Sequence, residues 1–193
     1  PGFNGGISIM SELRTNRIIP RDGLTSGTYS GGGIIQVKQA VKTDTFSVTG
    51  TATSDITGMS ISITPTRADS KILVSYHLSC SVENGGFSGF IFTLRDSTQI
   101  FLGDTAGNRQ RCSSFINSDV GAANNSDYAA YDMFDLTGQF LDSPATTSAV
   151  TYKLQMRSLN SGRVFHLNRH HNDSDGIGSP RTASSLTVME VSG

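Results

Sequence analysis

The sequence predicts an all-β protein: an antiparallel two-sheet β-sandwich, jelly-roll-like, with an extended N-terminal arm. Three observations support this fold class. Apolar and polar residues alternate along most of the chain after residue 33, which is the pattern of strands with one buried face. Only 16% of the 193 residues are charged, whereas helices with a solvated face are rich in Glu, Lys and Arg. No segment keeps a 3.6-residue apolar stripe between two helix caps.

Turn-forming residues are frequent between residues 15 and 33. They include one proline and several glycines: Pro20, Gly23, Gly27 and the run at 31–33. This composition is typical of an extended arm or linker. Met10 has the character of a natural start, and we hypothesise that the residues before it are an added remnant. The predicted organisation is a remnant at 1–9, an arm at 10–33 and a single β-sandwich domain at 34–193.

The strand pattern is clearest at 71–82, where alternate residues share an apolar face: Ile72, Val74, Tyr76, Leu78, Cys80 and Val82. The other strands are predicted, in chain order, at 34–41, 45–49, 59–64, 90–94, 99–102, 128–141, 150–157, 163–168 and 186–188. In the strand at 90–94, the apolar face is expected to consist of Phe90, Phe92 and Leu94. Turn-forming clusters separate most of these segments. About nine or ten short strands with one polar face imply two sheets packed face to face, and a jelly roll is the form we predict.

Charge and hydropathy exclude several classes of protein. The net charge is −1, which does not fit a nucleic-acid-binding surface. No apolar run approaches the roughly 18–20 residues that a membrane span needs, and the N-terminus lacks the order of a secretory signal. Two cysteines are too few for a disulfide framework or a Cys-based zinc site. Cys80 is interpreted as a buried hydrophobe, and pairing with Cys112 is left open because the sequence does not fix their distance.

No pattern in the sequence indicates an enzyme. Nucleophilic catalysis needs a Ser, Cys or Thr held by a base, often in a Gly-flanked turn, but the many serines here lie in alternating strands or ordinary loops. Glycoside cleavage needs two converging carboxyl groups, and the acidic residues are sparse. No glycine-rich phosphate loop precedes a helix. We therefore expect no catalytic residue and no cofactor.

One dense polar cluster lies near the C-terminus: Asn168, Arg169, His170, His171, Asn172, Asp173, Ser174, Asp175 and Gly176. Imidazoles and carboxylates can bind a metal, but adjacent histidines on an extended strand point to opposite faces. We favour a structural loop, with Asp173 and Asp175 accepting backbone N–H bonds and Gly176 in a strained conformation. Contact with a receptor or sugar, through residues 169–172, is the third interpretation.

Two tyrosines provide a second candidate contact surface. Tyr128 and Tyr131 follow a run of Asn, Ser and Asp residues, and tyrosine offers a large contact area with a polar tip. Half-buried strand tyrosines are the commoner case, so both interpretations stand. Phe87, next to two glycines, is expected to close one end of the sandwich rather than to anchor a ligand.

Several short segments are distributed along the chain from Met10 onwards. They are PRDG at 20–23, KTDTFS at 42–47, DITGMSISITP at 55–65, SKILV at 70–74, LNR at 167–169, NDSD at 172–175, PRT at 180–182 and SLTVME at 185–190. Together they resemble a widespread set of phage virion proteins, many of them from viruses of aquatic bacteria. The resemblance extends over residues 10–193 and is weakest in the middle loops. These motifs specify the family well and its function poorly.

The resemblance implies a compact β-sandwich displayed on a phage particle, assembled as a homotrimer, with the arm joining it to other virion proteins. No catalytic residue is implied. The expected function is a receptor-binding or tail-fibre head domain that recognises a host surface glycan or protein. The alternative is a capsid decoration protein that binds the coat, which the lack of a long shaft favours. A glycan depolymerase is a distant third, because it needs converging acids.

Overall fold

The computed structural model describes residues 33–83, 87–118 and 132–192. The chain divides into two units, Pro1–Gly31 and Gly32–Gly193, and the first lies outside the described residues. The remnant at 1–9 and all but the last residue of the arm at 10–33 therefore stay predictions. Within the described residues, every regular element is a strand, and no helix is long and apolar enough to cross a membrane.

Eleven antiparallel strands form the described part of the chain. They are β1 (Ile34–Lys42), β2 (Phe46–Thr49), β3 (Ser54–Ile63), β4 (Lys71–Val82), β5 (Phe87–Arg95), β6 (Thr98–Ile100), β7 (Ser114–Ser118), β8 (Phe134–Asp142), β9 (Val150–Ser158), β10 (Val164–Leu167) and β11 (Ser184–Val191). The periodicity of the sequence located ten of them. It missed β7, where the apolar residues Phe115 and Ile116 are adjacent instead of alternating.

The strands form two sheets. In the first, one edge of β4 pairs with β8, and the other edge pairs with β11 and then with β10. β1 and β2 pair with the outer edges of β11 and β10. The second sheet has the order β3, β9, β5, with β7 and β6 sharing the far edge of β5. The chain changes sheet at six of the ten connections between the described strands, and each sheet has four strand positions, as in a jelly roll. The predicted fold class is confirmed.

The core fills the space between the sheets. β4 contributes the whole face that its periodicity predicted, and β9 contributes the matching face of the second sheet, Val150, Tyr152, Leu154 and Met156. Phe165 of β10 lies so close to β5 that a Cβ at Gly89 would be 2.6 Å from its ring. This close approach explains why a glycine occupies that position on the inner face of β5.

β3 reaches the core through a bulge. Ile56 and Met59 are both buried although they are three residues apart, and the register with β9 shifts between Asp55 and Ser60. Gly58, within the shifted segment, has a φ of +83°, a conformation that residues with a side chain rarely adopt. Strict alternation would have placed Ile56 on the solvent side.

The face predicted for β5 packs on the opposite side from the one expected. Ile91 of β5 belongs to the core between the sheets, whereas Phe90, Phe92 and Leu94 form a separate buried cluster with Leu102 and Cys112. These three large residues therefore cover the outer face of the second sheet, beneath the chain that links β6 to β7. Large rings do not fit the inner face, where Phe165 already fills the space beside Gly89.

The two cysteines are free, and Cys80 is buried in the core while Cys112 is half-buried in the outer cluster. The pairing that the sequence left open is therefore not formed. Burial raises the pKa of both thiols, because desolvation disfavours the thiolate.

Candidate functional site

The polar cluster found in the sequence begins where β10 ends and continues into the connection to β11. Asn168 is fully buried and has a φ of 62°, which asparagine tolerates better than most residues. Its Nδ2 donates to the carbonyl oxygens of Lys42 (2.8 Å) and Asp44 (2.9 Å), and its Oδ1 accepts from Ser184 Oγ at 2.6 Å. Asn168 therefore joins the connection between β1 and β2 to the start of β11.

His166 lies in β10, beneath this loop, and sequence reasoning did not select it. Arg169 donates to His166 Nδ1 at 3.0 Å, and Ser47 Oγ lies 2.8 Å from the same nitrogen. Because arginine has no acceptor, Nδ1 must accept, and the ring proton is on Nε2, which donates to His171 Nδ1 at 3.1 Å. Burial, with Arg169 and His171 nearby, lowers the pKa of His166 to about 3. The imidazole is neutral at physiological pH.

Asp173 holds the loop together through two arginines. Its carboxylate accepts from Arg181 and lies 2.9 Å from Arg169, and these contacts, led by the bond from Arg181, lower the pKa of Asp173. The predicted structural role of Asp173 is thus carried out by side-chain ion pairs, where backbone N–H bonds were expected. Gly176 does not have a positive φ, so the strained conformation expected there was wrong.

The residues predicted to touch a receptor are largely engaged within the protein. His170 is buried, and its Nε2 donates to Gly178 O at 3.0 Å, whereas His171 faces His166. The two histidines therefore diverge, as expected from their adjacency. Arg169 is tied to His166 and Asp173, and Asn172 is half-buried with its carbonyl accepting from Ser174 N at 2.9 Å. Receptor contact by residues 169–172 stays a prediction.

The outer part of the loop forms an open depression of about 260 Å³. It is lined by Asp173, Ser174, Asp175, Gly176, Ser179 and Arg181. The serine hydroxyls bond to each other at 2.8 Å, and both Asp173 and Asp175 are exposed. Within residues 33–83, 87–118 and 132–192, three or more His, Cys, Asp or Glu side chains nowhere converge in a way that could hold a metal ion.

A buried carboxylate at the other end of the first sheet also escaped sequence reasoning. Glu190 of β11 is fully buried, and it accepts from the backbone and hydroxyl of Thr66 (both 2.7 Å) and from Gln36 Nε2 at 2.7 Å. These hydrogen bonds outweigh burial and lower the pKa of Glu190 to about 2. Its donors join β1 and the β3–β4 connection to β11, so the role is structural.

Tyr128 and Tyr131 lie outside the described residues, and so does the side chain of Phe87. Their predicted roles as a contact surface and as an end plug stay predictions.

Comparison with known proteins gives a distant structural likeness. No family model matches the chain, and no curated protein matches it. The chain is similar to a structure of the Gt strain of infectious bursal disease virus (TM-score 0.42, 13% identity, 90% of this chain and 44% of that chain). It is also similar to particles derived from a mutant VP2 protein of that virus (TM-score 0.41, 14% identity, 89% and 40%). A VP2 subviral particle gives a TM-score of 0.38 at 11% identity, over 90% and 44%.

These neighbours belong to virus particles, and this chain spans less than half of each. At such TM-scores the likeness is too distant to carry a function over. None of the three is a phage protein, so the resemblance to phage virion proteins stays a prediction.

Proposed function

We propose that this protein is a non-enzymatic structural subunit of a phage particle. Its sandwich would be the head of a tail fibre or similar appendage, present as a homotrimer, that recognises the host cell surface. The phage-like segments of the sequence and the jelly roll, an architecture that capsid and lectin domains share, support the proposal. Because a fold alone does not define a function, the proposal depends on one surface that an isolated monomer would leave uncovered.

That surface is an apolar row across the outer face of the first sheet. Paired residues on four neighbouring strands form it, in the order Val37, Met189, Leu73 and Leu141. Val37 and Leu141, at the two ends, are each 54% exposed. We call these four residues the apolar row.

The residues beside the apolar row on the same face are mostly uncharged. The next row is Gln39, Thr187, Ser75 and Gln139. The following row contains His77, whose Nε2 lies 3.4 Å from Asp135 of β8. Around a threefold axis, the apolar row and the mostly uncharged residues beside it can pack against neighbouring copies with little repulsion between like charges. This favours a second copy of the chain as the partner, as expected for a symmetric oligomer.

Oligomeric mass tests the assembly. Light scattering on the intact protein is expected to give a trimer, and Leu141→Glu to give monomer, because a carboxylate would be buried without a partner. Gln99→Glu is the matched control, since it adds the same charge at an exposed position of the second sheet. If the wild type is monomeric at micromolar concentration, the apolar row no longer supports the proposed assembly.

Copy number in purified particles separates the two virion roles. A few to a few dozen copies are expected for a tail appendage. Hundreds of copies would indicate the alternative, a capsid decoration protein whose apolar row and arm bind the coat. Shortening of host polysaccharide on incubation with the protein would instead support a depolymerase and contradict the proposed non-enzymatic role.

A further inference from the structure

The outer face of the second sheet carries an arginine stacked on aromatic rings. The guanidinium carbon of Arg157, in β9, lies 4.9 Å from the centre of the Phe90 ring and 6.0 Å from that of Phe92. Phe115 of β7 continues the aromatic surface, with its ring centre 5.1 Å from that of Phe90. Phe115 is 46% exposed. The sequence placed none of these residues in a binding site.

The chain between β6 and β7 contacts Arg157 and carries two more arginines. Arg157 donates to Gln110 Oε1 at 3.0 Å, and Gln110 lies between Arg109 and Arg111 in the chain. Arg111 Nε donates to Gly103 O at 2.6 Å, so this bond anchors the side chain to its own loop. We call Arg109, Arg111, Arg157 and Phe115 the arginine patch.

The arginine patch is unusual in its charge pairing. Within the described ranges, five other arginines each lie within 4.0 Å of a carboxylate: Arg67, Arg95, Arg163, Arg169 and Arg181. In those same ranges, no carboxylate lies within that distance of Arg109, Arg111 or Arg157. Within the described ranges these three arginines therefore have no carboxylate partner, and they lie on β9 and on the loop that contacts it, in a chain whose net charge is −1.

We propose that the arginine patch binds an anionic saccharide chain. Guanidinium groups bind carboxylate or phosphate oxygens through paired hydrogen bonds, and an arginine already stacked on rings loses little freedom on binding. The exposed ring of Phe115 offers an apolar surface to the C–H face of a sugar. The exposed Asn117, next along the same face of β7, supplies an amide for sugar hydroxyls. The inference rests on the proposed host recognition and specifies its ligand and its location.

Binding of the full chain to three polysaccharides tests the proposal. Polygalacturonate presents carboxylates, phosphomannan presents phosphates, and dextran is neutral. We expect binding to one or both anionic polymers and none to dextran, with the affinity falling as salt rises. Arg157→Gln, and separately the double change Arg109→Gln with Arg111→Gln, should weaken binding by about tenfold or more. Arg67→Gln is the control, because it removes one positive charge from an exposed ion pair in the β3–β4 connection.

The double variant is expected to fold like the wild type, because both of its residues are exposed. Its melting temperature should therefore match that of the wild type. Equal binding by the wild type and the patch variants, or equal loss in Arg67→Gln, would overturn the proposal. Absence of anionic binding would also overturn it. Adsorption to host cells that persists in the patch variants would then leave the proposed function standing, whereas a protein that adsorbs to no susceptible host would contradict the function itself.

Discussion

Replacing Gly138 with alanine tests how tightly the first sheet is packed. Gly138 of β8 pairs with Tyr76 of β4, and a Cβ at this position would lie 2.4–2.5 Å from three atoms at the end of the Tyr76 ring. Ordinary contact begins at 3.4 Å, so the ring must move by about 1 Å. Tyr76 is buried and its hydroxyl lies 2.6 Å from Ser114 Oγ, so the movement strains the core and breaks this hydrogen bond.

The expected loss is about 2 kcal/mol. Overpacking typically costs roughly 1–3 kcal/mol and a lost hydrogen bond about 1 kcal/mol, while alanine recovers roughly 0.5–1 kcal/mol relative to glycine in a strand. For a domain of this size the melting temperature should fall by about 4–8 °C. Urea unfolding followed by circular dichroism measures the change in the free energy of unfolding.

Two further variants make the result specific. Gly178→Ala, where a Cβ has open space, should change stability by less than about 0.5 kcal/mol. In a Tyr76→Leu background, Gly138→Ala should cost much less, because the shorter side chain leaves room for the new methyl group. A Gly138→Ala protein as stable as the wild type, or an equal cost in both backgrounds, would refute the reasoning.

Three other predictions concern buried polar groups. Glu190→Gln should lower stability at pH 7 by about 1.5–3 kcal/mol, because hydrogen bonds to a charged acceptor are lost. With the pKa of Glu190 lowered from 4.5 to about 2, this stabilisation is complete above pH 4.5 and is lost as the pH falls towards 2. The acid unfolding curve of the variant should therefore be flatter, and parallel curves would contradict the assignment. Asn168→Ala should cost about 3 kcal/mol in urea unfolding, and Asn168→Gly less, because glycine keeps the positive φ but not the hydrogen bonds; equal losses would exclude a role for φ. In thiol labelling followed by mass spectrometry, Cys112 should react slowly in the folded protein and Cys80 only after unfolding, and rapid labelling of Cys80 would contradict its burial.

The candidate site was predicted only in part. The cluster at 168–176 was predicted to be a structural loop, and in the structure Asp173 pairs with Arg169 and Arg181. His166, which the loop covers, was missed because it lies within a predicted strand and its partner Ser47 is 119 residues away in the chain. The arginine patch was missed for the same reason, since Arg157 and Gln110 lie 47 residues apart and only the folding of the second sheet joins them.

The sequence alone determined the β class and the position of nearly every strand, because the period-two alternation of side chains is a local property of each strand. It also assigned the buried faces of β4 and β9, whose two faces differ strongly in polarity. The tertiary structure decided which face of β5 lies in the core, since residues on both of its faces are buried and the outcome depends on Phe165 and on the covering chain that leads to β7. It also decided the bulge at Gly58 and the burial of Glu190. These features depend on contacts between segments far apart in the chain, which no local pattern encodes.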